Sequence, residues 1–265
     1  MPLVGKVAFV EQYGPYALIA GGSDGLGYAF AEAAARRGLG LILVARDTER
    51  LQAAAVRLKQ AYHVDVIPMV ADLAFTDDVV ARIVAIPREI GLLVYNAAYC
   101  PVGPLSHRTD AELSRVVAVN ARTPLLLARR LSEPMIGRGK GGIVLMSSLA
   151  GAQGSPRLVA YGATKSFLVT LAEGLWSELR RSGVDVIACV AGAVTTPGYE
   201  QTGQGGRAPG ALPPGDVAEQ TLDALGHGPV VVPGGFNKFG RFILSRVLSR
   251  KGAIWLMSRN TGGLM

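Results

Sequence analysis

Tyr161 and Lys165 are the residues whose types and spacing most clearly suggest chemistry. Residues four apart on a helix share a face, so the lysine ammonium group can approach the phenol. A nearby positive charge favours phenolate and is expected to lower the tyrosine pKa from about 10 toward working pH. Such a tyrosine can exchange a proton with a substrate oxygen. Ser148 ends a predicted buried strand and could hold the same oxygen.

A glycine-rich segment, Gly21–Gly27, follows the first predicted strand and opens a helix. Glycines at such a turn let the backbone approach a pyrophosphate, while the helix N-terminus supplies N–H donors and a positive dipole end. The spacing is G-x-x-x-G-x-G, which differs from the usual G-x-G-x-x-G. The strand–turn–helix setting nevertheless predicts a dinucleotide site. Its expected contacts are Gly21, Ser23, Asp24, Gly25, Leu26 and Gly27.

Arg46 follows the second predicted strand, where dinucleotide-binding folds read the ribose. An acidic residue there binds a 2′-hydroxyl, whereas arginine accommodates a 2′-phosphate. Arg46 therefore favours NADP over NAD, although the neighbouring Asp47 keeps NAD open.

Buried apolar runs that alternate with helical patterns must position these groups. The predicted strands lie near residues 16–21, 41–45, 64–70, 92–95, 142–146, 184–190 and 230–232. A capping box, Thr109 with Glu112, predicts a long helix that continues to about Leu131. Strands without polar alternation are typical of a parallel sheet covered on both faces. We therefore predict a single α/β domain with a Rossmann-type, doubly wound, mostly parallel seven-stranded sheet.

Taken together over about residues 16–197, these motifs resemble the short-chain dehydrogenase/reductase family. The matching segments, in chain order, are Gly21–Gly27, Asp72-Leu73, Asn96-Ala97-Ala98, Asn120, Ser148, Tyr161 and Lys165. The sequence departs from the family pattern at Ala20, Ala98 and Ala191, where the family has threonine, glycine and proline.

The resemblance implies a role for each matching residue. Tyr161 would be the general acid/base, and Lys165 would lower its pKa and hold the nicotinamide ribose. Ser148, in preference to Ser147, would orient the substrate oxygen, and Asn120 would bind a proton-relay water. The further cofactor contacts would be Asp72 and Leu73 at the adenine, Asn96 and Ala97 beside the cofactor, and Val194 and Thr196 at the nicotinamide end.

The implied activity is NADP-dependent interconversion of a ketone and a secondary alcohol by a homodimer or homotetramer. Apolar residues in a predicted lid at 195–214 and in the C-terminal extension favour a hydrophobic substrate, such as an acyl chain or a steroid. The alternative is a non-catalytic NADP-binding protein that acts as a regulator or as a membrane-surface scaffold.

The excess of basic over acidic residues is confined to one part of the chain. The net charge is +7, yet the first 223 residues carry 21 basic and 20 acidic side chains. The predicted cofactor-binding and catalytic domain, residues 1–235, is therefore nearly neutral, and the excess lies in an amphipathic extension at 236–265. This extension could pack on the body or another subunit, or contact a membrane surface. A nucleic-acid partner is disfavoured because neither a strand platform studded with aromatic residues nor a helix-turn-helix accompanies it.

Other residue types exclude several classes of protein. His63, His107 and His227 are scattered without ligand spacing, so no metal site is predicted. Two cysteines without a CxxC motif indicate a reducing, cytoplasmic compartment. Cys100 follows the fourth strand and could line the substrate pocket or lie in a plain loop. Neither a signal-peptide pattern nor an apolar run of about 18 residues occurs.

Overall fold

A computed structural model describes residues 3–196 and 209–261 and places a parallel sheet at the centre of the molecule. The strand order is β3-β2-β1-β4-β5-β6-β7, and each neighbouring pair is parallel. This confirms the predicted fold. The strands are β1 (Tyr16–Ala20), β2 (Gly40–Ala45), β3 (Val66–Val70), β4 (Ile90–Tyr95), β5 (Gly141–Ser148), β6 (Val184–Ala191) and β7 (Val230–Val231).

Helices cover both faces of this sheet. They are α1 (Leu3–Tyr13), α2 (Gly25–Arg36), α3 (Thr48–Tyr62), α4 (Thr76–Val84), α5 (Asp110–Val117), α6 (Thr123–Arg138), α7 (Val159–Leu179), α8 (Pro214–Ala224), α9 (Gly235–Phe242) and α10 (Arg250–Thr261). Helix α1 was not predicted, because its sequence shows little apolar periodicity.

The strands are apolar throughout because both faces of the sheet are buried. Successive side chains point to opposite faces of a strand. In β1, Leu18 lies in one hydrophobic core and Ile19 in the other, and both are fully buried. The strand order reverses between β1 and β4, and ligands bind in the crevice beyond the strand ends at such a switch point.

The long helix predicted from Thr109 is interrupted, which corrects the sequence-based expectation. The capping box is present: Thr109 Oγ1 accepts a hydrogen bond from Glu112 N, and Glu112 Oε2 accepts one from Thr109 N. A π-helical segment, Ala118–Arg122, then separates α5 from α6. Such insertions often occur at functional sites, and this one contains the buried Asn120.

Residues 235–261, here called the tail, pack on the body at a few points only. Asn237 is buried, and its Nδ2 donates hydrogen bonds to Gly210 O and Pro233 O. By contrast, Phe236, Phe239 and Phe242 are 60%, 64% and 55% exposed. Within the described ranges, no helix combines the length and apolar character needed to cross a membrane.

The predicted lid at 195–214 is described only at its two ends, because residues 197–208 lie outside the described residues. The ends lie side by side: Thr195 N donates to Leu212 O at 3.0 Å, and Leu212 N donates to Ala193 O at 3.1 Å.

Candidate active site

A cavity of about 570 Å³ opens where the central strands end. The predicted cofactor residues that line it are Gly21, Ser23, Arg46, Asp72, Leu73, Asn96 and Ala97. The predicted contacts outside this lining are Asp24, Gly25, Leu26, Gly27, Tyr161, Lys165, Val194 and Thr196. The cavity thus brings residues from four strand ends together, as the fold predicts.

The glycine turn requires its glycines for steric reasons. Gly21 has φ = +81°, a left-handed conformation that side chains rarely adopt. A Cβ on Gly27 would lie 1.7 Å from Gly21 O, so only glycine fits there. Asn96 Nδ2 donates to the same carbonyl oxygen at 3.3 Å, which fixes the turn against the end of β4.

The first turn of α2 brings the glycine motif near the end of β6. Asp24 caps the helix by accepting a hydrogen bond from Gly25 N at 2.7 Å. A Cβ on Gly25 would lie 3.2 Å from Thr196 Cγ2, so Thr196 adjoins the motif. Val194 forms a parallel bridge with Leu212.

Two arginines lie at the end of the cavity beyond β2. Arg46 is exposed and lines the cavity there. Arg50, one turn into α3, lines the same cavity and was missed, because nothing in its spacing distinguishes it from a solvated helix residue. Its Nε lies 3.3 Å from Asp47 Oδ2, so the acid beside Arg46 is paired with a second guanidinium group.

Two hydrogen-bond donors hold the carboxylate of Asp72, which follows β3 in the chain. Its carboxylate accepts hydrogen bonds from Ala74 N at 3.0 Å and from Arg115 Nη2 at 2.6 Å. Burial alone would raise the pKa of Asp72, but these two hydrogen bonds outweigh burial and lower it. Arg115 also lies over the Tyr99 ring, 5.4 Å from its centroid. Sequence reasoning missed Arg115 because its acidic partner is distant along the chain.

Ser148, Tyr161 and Lys165 meet between the end of β5 and the first turns of α7. Tyr161 is half-buried and hydrogen-bonded to Ser148. Lys165 is buried, and its Nζ lies 5.4 Å from the centroid of the Tyr161 ring and donates to Met146 O at 2.7 Å. Ser147 Oγ instead donates to Lys165 O at 2.7 Å. Ser148 therefore supplies the serine hydroxyl beside Tyr161.

The pKa values of this pair correct the expectation that Lys165 lowers the pKa of Tyr161. Burial of the phenol, together with the neighbouring Cys100, raises the pKa of Tyr161, and the hydrogen bond to Ser148 offsets only part of this rise. Burial also lowers the pKa of Lys165 to about 8. Desolvation thus sets the direction of both pKa shifts, because burying the neutral form of each group costs less than burying its charged form.

Asn120 is buried in the π-helical segment, and its side-chain amide is fully engaged. Its Oδ1 accepts from Tyr99 N at 2.8 Å, and its Nδ2 donates to Tyr99 O at 2.9 Å and Thr164 Oγ1 at 3.3 Å. Both amide hydrogens are therefore used to tie the loop after β4 to α7. The amide nitrogen therefore has no hydrogen left to donate to the water that the resemblance implies.

Cys100 is exposed after β4 and interacts electrostatically with both Tyr161 and Lys165, so it lies near the catalytic residues. Partial burial of its thiol raises the pKa to about 11, so the thiol is neutral. Across residues 3–196 and 209–261, no three His, Cys, Asp or Glu side chains form a group that could hold a metal ion.

The sequence matches the family model described as short chain dehydrogenase over residues 15–205. One relative is the inactive hydroxysteroid dehydrogenase-like protein 1 of Mus musculus, 32% identical over 82% of this chain and 67% of the relative. This relative and the similarly named proteins of other vertebrates are longer than the present chain, which spans 57% to 67% of their lengths.

Solved structures agree over most of the chain. A 7beta-hydroxysteroid dehydrogenase is 25% identical, with a TM-score of 0.88 over 94% of this chain and 99% of its own. A short-chain dehydrogenase from Sphingobium yanoikuyae in complex with NADPH is 32% identical, with a TM-score of 0.76 over 82% of this chain and 87% of its own. The chain therefore belongs to the short chain dehydrogenase family, whose oxidoreductases interconvert CH–OH and C=O groups.

Proposed function

We propose that the protein is an NADPH-dependent reductase that converts hydrophobic ketones to secondary alcohols, with Tyr161 as the proton donor. The observation that carries this proposal is that Ser148, Tyr161 and Lys165 lie close together. They lie at the same edge of the sheet as the glycine turn. A hydroxyl, a phenol and an ammonium group at one place can bind and protonate a carbonyl oxygen.

The cavity fits a phosphorylated dinucleotide. Gly21 has a positive φ, and a Cβ on Gly27 would collide with Gly21 O, so only glycine at these positions keeps the N-terminus of α2 close to the turn, where its N–H groups can bind a pyrophosphate. Arg46 and Arg50 at the far end can pair with a 2′-phosphate, and arginine is well suited to bidentate phosphate binding. The similar Sphingobium protein binds NADPH, which supports the same choice here.

Reduction of a ketone requires a hydride at carbon and a proton at oxygen. The bound nicotinamide supplies the hydride. Ser148 Oγ donates a hydrogen bond that orients the carbonyl oxygen. Because burial raises the pKa of Tyr161, the phenol is protonated at neutral pH and can donate its proton as negative charge develops on that oxygen. The Lys165 ammonium group stabilises the resulting tyrosinate. Asn120 acts as a positioning residue, because it fixes Tyr99 and Thr164 around the site.

The hydrophobic substrate class is supported by the relatives, whose names refer to hydroxysteroids. Several relatives are named inactive, so a non-catalytic NADPH-binding function is the competing proposal. The reactive side chains of this chain favour catalysis.

The deciding experiment follows NADPH oxidation against ketones of graded size and apolarity, with NADH as the parallel cofactor. We expect turnover that improves with apolar size and that falls about 10²- to 10⁴-fold in Tyr161→Phe, because general acid catalysis is worth that much. NADPH binding should persist in that variant. NADPH binding without turnover of any ketone would instead support the non-catalytic protein.

The cofactor preference is tested separately with Arg46→Ala and Arg50→Ala. Each change should raise the KM for NADPH about tenfold or more and leave that for NADH nearly unchanged, since a charged hydrogen bond is worth about 1.5–3 kcal/mol. A higher kcat/KM with NADH in the unmodified protein would refute the role of Arg46.

A homodimer or homotetramer in the cytoplasm remains our prediction for the assembly. Helices α6 and α7 leave Leu125, Ile136 and Phe167 exposed, which supports a subunit contact on this side. Size-exclusion chromatography with light scattering gives the mass, and a monomer at micromolar concentration would contradict the prediction.

A second partner of different class, an anionic membrane surface, is favoured by the exposed aromatic face of α9. Phe236, Phe239 and Phe242 recur at helical spacing, and no acidic residue follows Asp223 in the sequence. A second copy would bring the same positive charge to this face, whereas anionic lipids complement it.

Sedimentation with phosphatidylserine-containing vesicles tests this partner. Triple replacement of Phe236, Phe239 and Phe242 by serine should abolish binding, while Phe75→Ser, which alters a phenylalanine outside the tail that is 68% exposed, should not. Equal binding of both variants, or of vesicles without anionic lipid, would contradict the proposal.

A further inference from the structure

A second cavity, of about 520 Å³, lies on the side of α7 that faces away from the catalytic residues. The α7 residues in its wall are Val159, Gly162, Ala163 and Ser166. Their spacing defines one helix face, and at 3.6 residues per turn its centre lies roughly 130° from that of Tyr161 and Lys165. The cavity is therefore distinct from the active site, although both use the same helix.

The other walls come from the loop after β5 and from the tail. The loop contributes Gln153 to Pro156, and α10 contributes Arg250 and Ile254. Ile254 Cδ1 lies 3.7 Å from the position of a Cβ on Gly154, so the tail packs directly on this loop. A ligand in the cavity would contact the tail and the catalytic helix at once.

Gln153 is the polar group that this cavity leaves unsatisfied. It is only 5% exposed, and among residues 3–196 and 209–261 neither its Nε2 nor its Oε1 has a hydrogen-bond partner. The nearby hydroxyls differ, because Ser155 Oγ donates to Ala150 O and Ser166 Oγ donates to Gly151 O. A buried amide without partners is costly, so a bound group that both accepts and donates would be stabilised there.

Arg250 specifies the charge of such a group. Arg250 is exposed and lines the cavity wall. Its side chain makes no ion pair with any carboxylate in the described part of the chain. Guanidinium groups bind carboxylates through parallel hydrogen bonds. The remaining wall is largely apolar, with Pro156, Val159 and Ile254.

We propose that this cavity binds an organic carboxylate that carries an N–H or O–H donor beside its charge and an apolar body. The carboxylate accepts hydrogen bonds from Arg250 and from Gln153 Nε2. The neighbouring donor binds Gln153 Oε1, and the apolar body packs on Pro156, Val159 and Ile254. This ligand is not a substrate, and its binding does not depend on ketone reduction.

N-octanoylglycine is a suitable probe, because it has the carboxylate, the N–H and the apolar chain but no ketone or alcohol. Calorimetric titration of the full chain should show saturable binding. Gln153→Leu and Arg250→Ala should each weaken binding about tenfold or more, as expected for a lost hydrogen bond to a charged group. Arg259→Ala is the matched control, because Arg259 is on the same helix, stacks on Trp255 and lies outside the cavity wall.

Two comparison ligands separate the polar contacts. The methyl ester of N-octanoylglycine lacks the charge and should not bind, and octanoate lacks the N–H and should bind several-fold more weakly. Gln153→Leu should keep or raise the melting temperature, because it removes an unsatisfied amide, so its loss of binding would not reflect misfolding. Undiminished binding in Gln153→Leu or Arg250→Ala, equal binding of the ester, or no binding of the probe would overturn the proposal.

Discussion

A helix of the body and a helix of the tail each carry phenylalanine, but the two helices differ in how far these rings are buried. Phe30 on α2 is fully buried beneath the sheet, whereas Phe239 on α9 is 64% exposed. Both helices are amphipathic, yet only α2 has a sheet to cover. The apolar pattern of the body therefore specifies the fold, while that of the tail indicates a contact with something outside this chain.

Replacement of Phe30 by alanine should have the largest effect on stability. The change removes a fully buried ring from a close-packed core and leaves a cavity, so we expect the free energy of unfolding to fall by about 3–5 kcal/mol. Urea denaturation followed by circular dichroism measures this difference. A loss below about 1 kcal/mol would contradict the close packing around Phe30.

Gly27→Ala should lower the free energy of unfolding by about 1–3 kcal/mol, because the new Cβ would collide with the Gly21 carbonyl oxygen. It should also weaken NADPH binding, since the turn must open to relieve the collision. Gly174→Ala on α7 is the matched control: its Cβ meets no atom within 4 Å, and alanine favours a helix. Equal stability of the two variants would contradict the tight turn.

The reaction should slow at alkaline pH because of Lys165. Its pKa of about 8 means that the ammonium group is charged below this pH and neutral above it. We expect kcat/KM to fall about tenfold per pH unit above pH 8, since this parameter follows the free enzyme. Because the pKa of Tyr161 is raised, ionisation of its phenol does not lower kcat/KM below pH 8. Lys165→Arg should remove this decline from the pH profile, and a flat profile from pH 6 to 10 in the unmodified enzyme would show that the charge is not needed.

Phe239→Ala should have the smallest effect, within about 0.5 kcal/mol of the unmodified protein, because an exposed ring leaves no cavity when removed. The same urea denaturation applies. A loss as large as that of Phe30→Ala would show that the tail face is already covered in solution, for instance by a second subunit.

The sequence predicted the sheet, and the shared helix face of Tyr161 and Lys165, because both depend on local patterns. Apolar runs predicted all seven strands, and the spacing of Tyr161 and Lys165 was enough to bring them together. Interactions between distant segments could not be predicted in this way. Arg115 reaches Asp72 across 43 positions, and Asn120 is engaged by the backbone of Tyr99.

The wrong expectation that Lys165 lowers the pKa of Tyr161 has a related cause. The lysine–tyrosine spacing is visible in the sequence, but desolvation depends on what covers the site. Met146 O, which accepts the Lys165 ammonium hydrogen bond, and the burial that raises the pKa of Tyr161 appear only once the strands are assembled. Helix α1 was missed because its apolar residues show little helical periodicity, and the burial of Phe9 and Tyr13 becomes visible only when the helix packs on the core.

The π-helical segment at Ala118–Arg122 makes the length of this part of the chain as important as its composition. One extra residue in a helix turns everything beyond it by about 100°. That rotation directs Arg115 toward the cofactor cavity on one side and, on the other, lets Thr123 Oγ1 donate to Leu73 O at 2.7 Å. A single deletion within the segment would put the two halves out of phase. Homologues that keep both contacts should therefore tolerate substitutions here at exposed positions, though not at Asn120, and should not tolerate insertions or deletions.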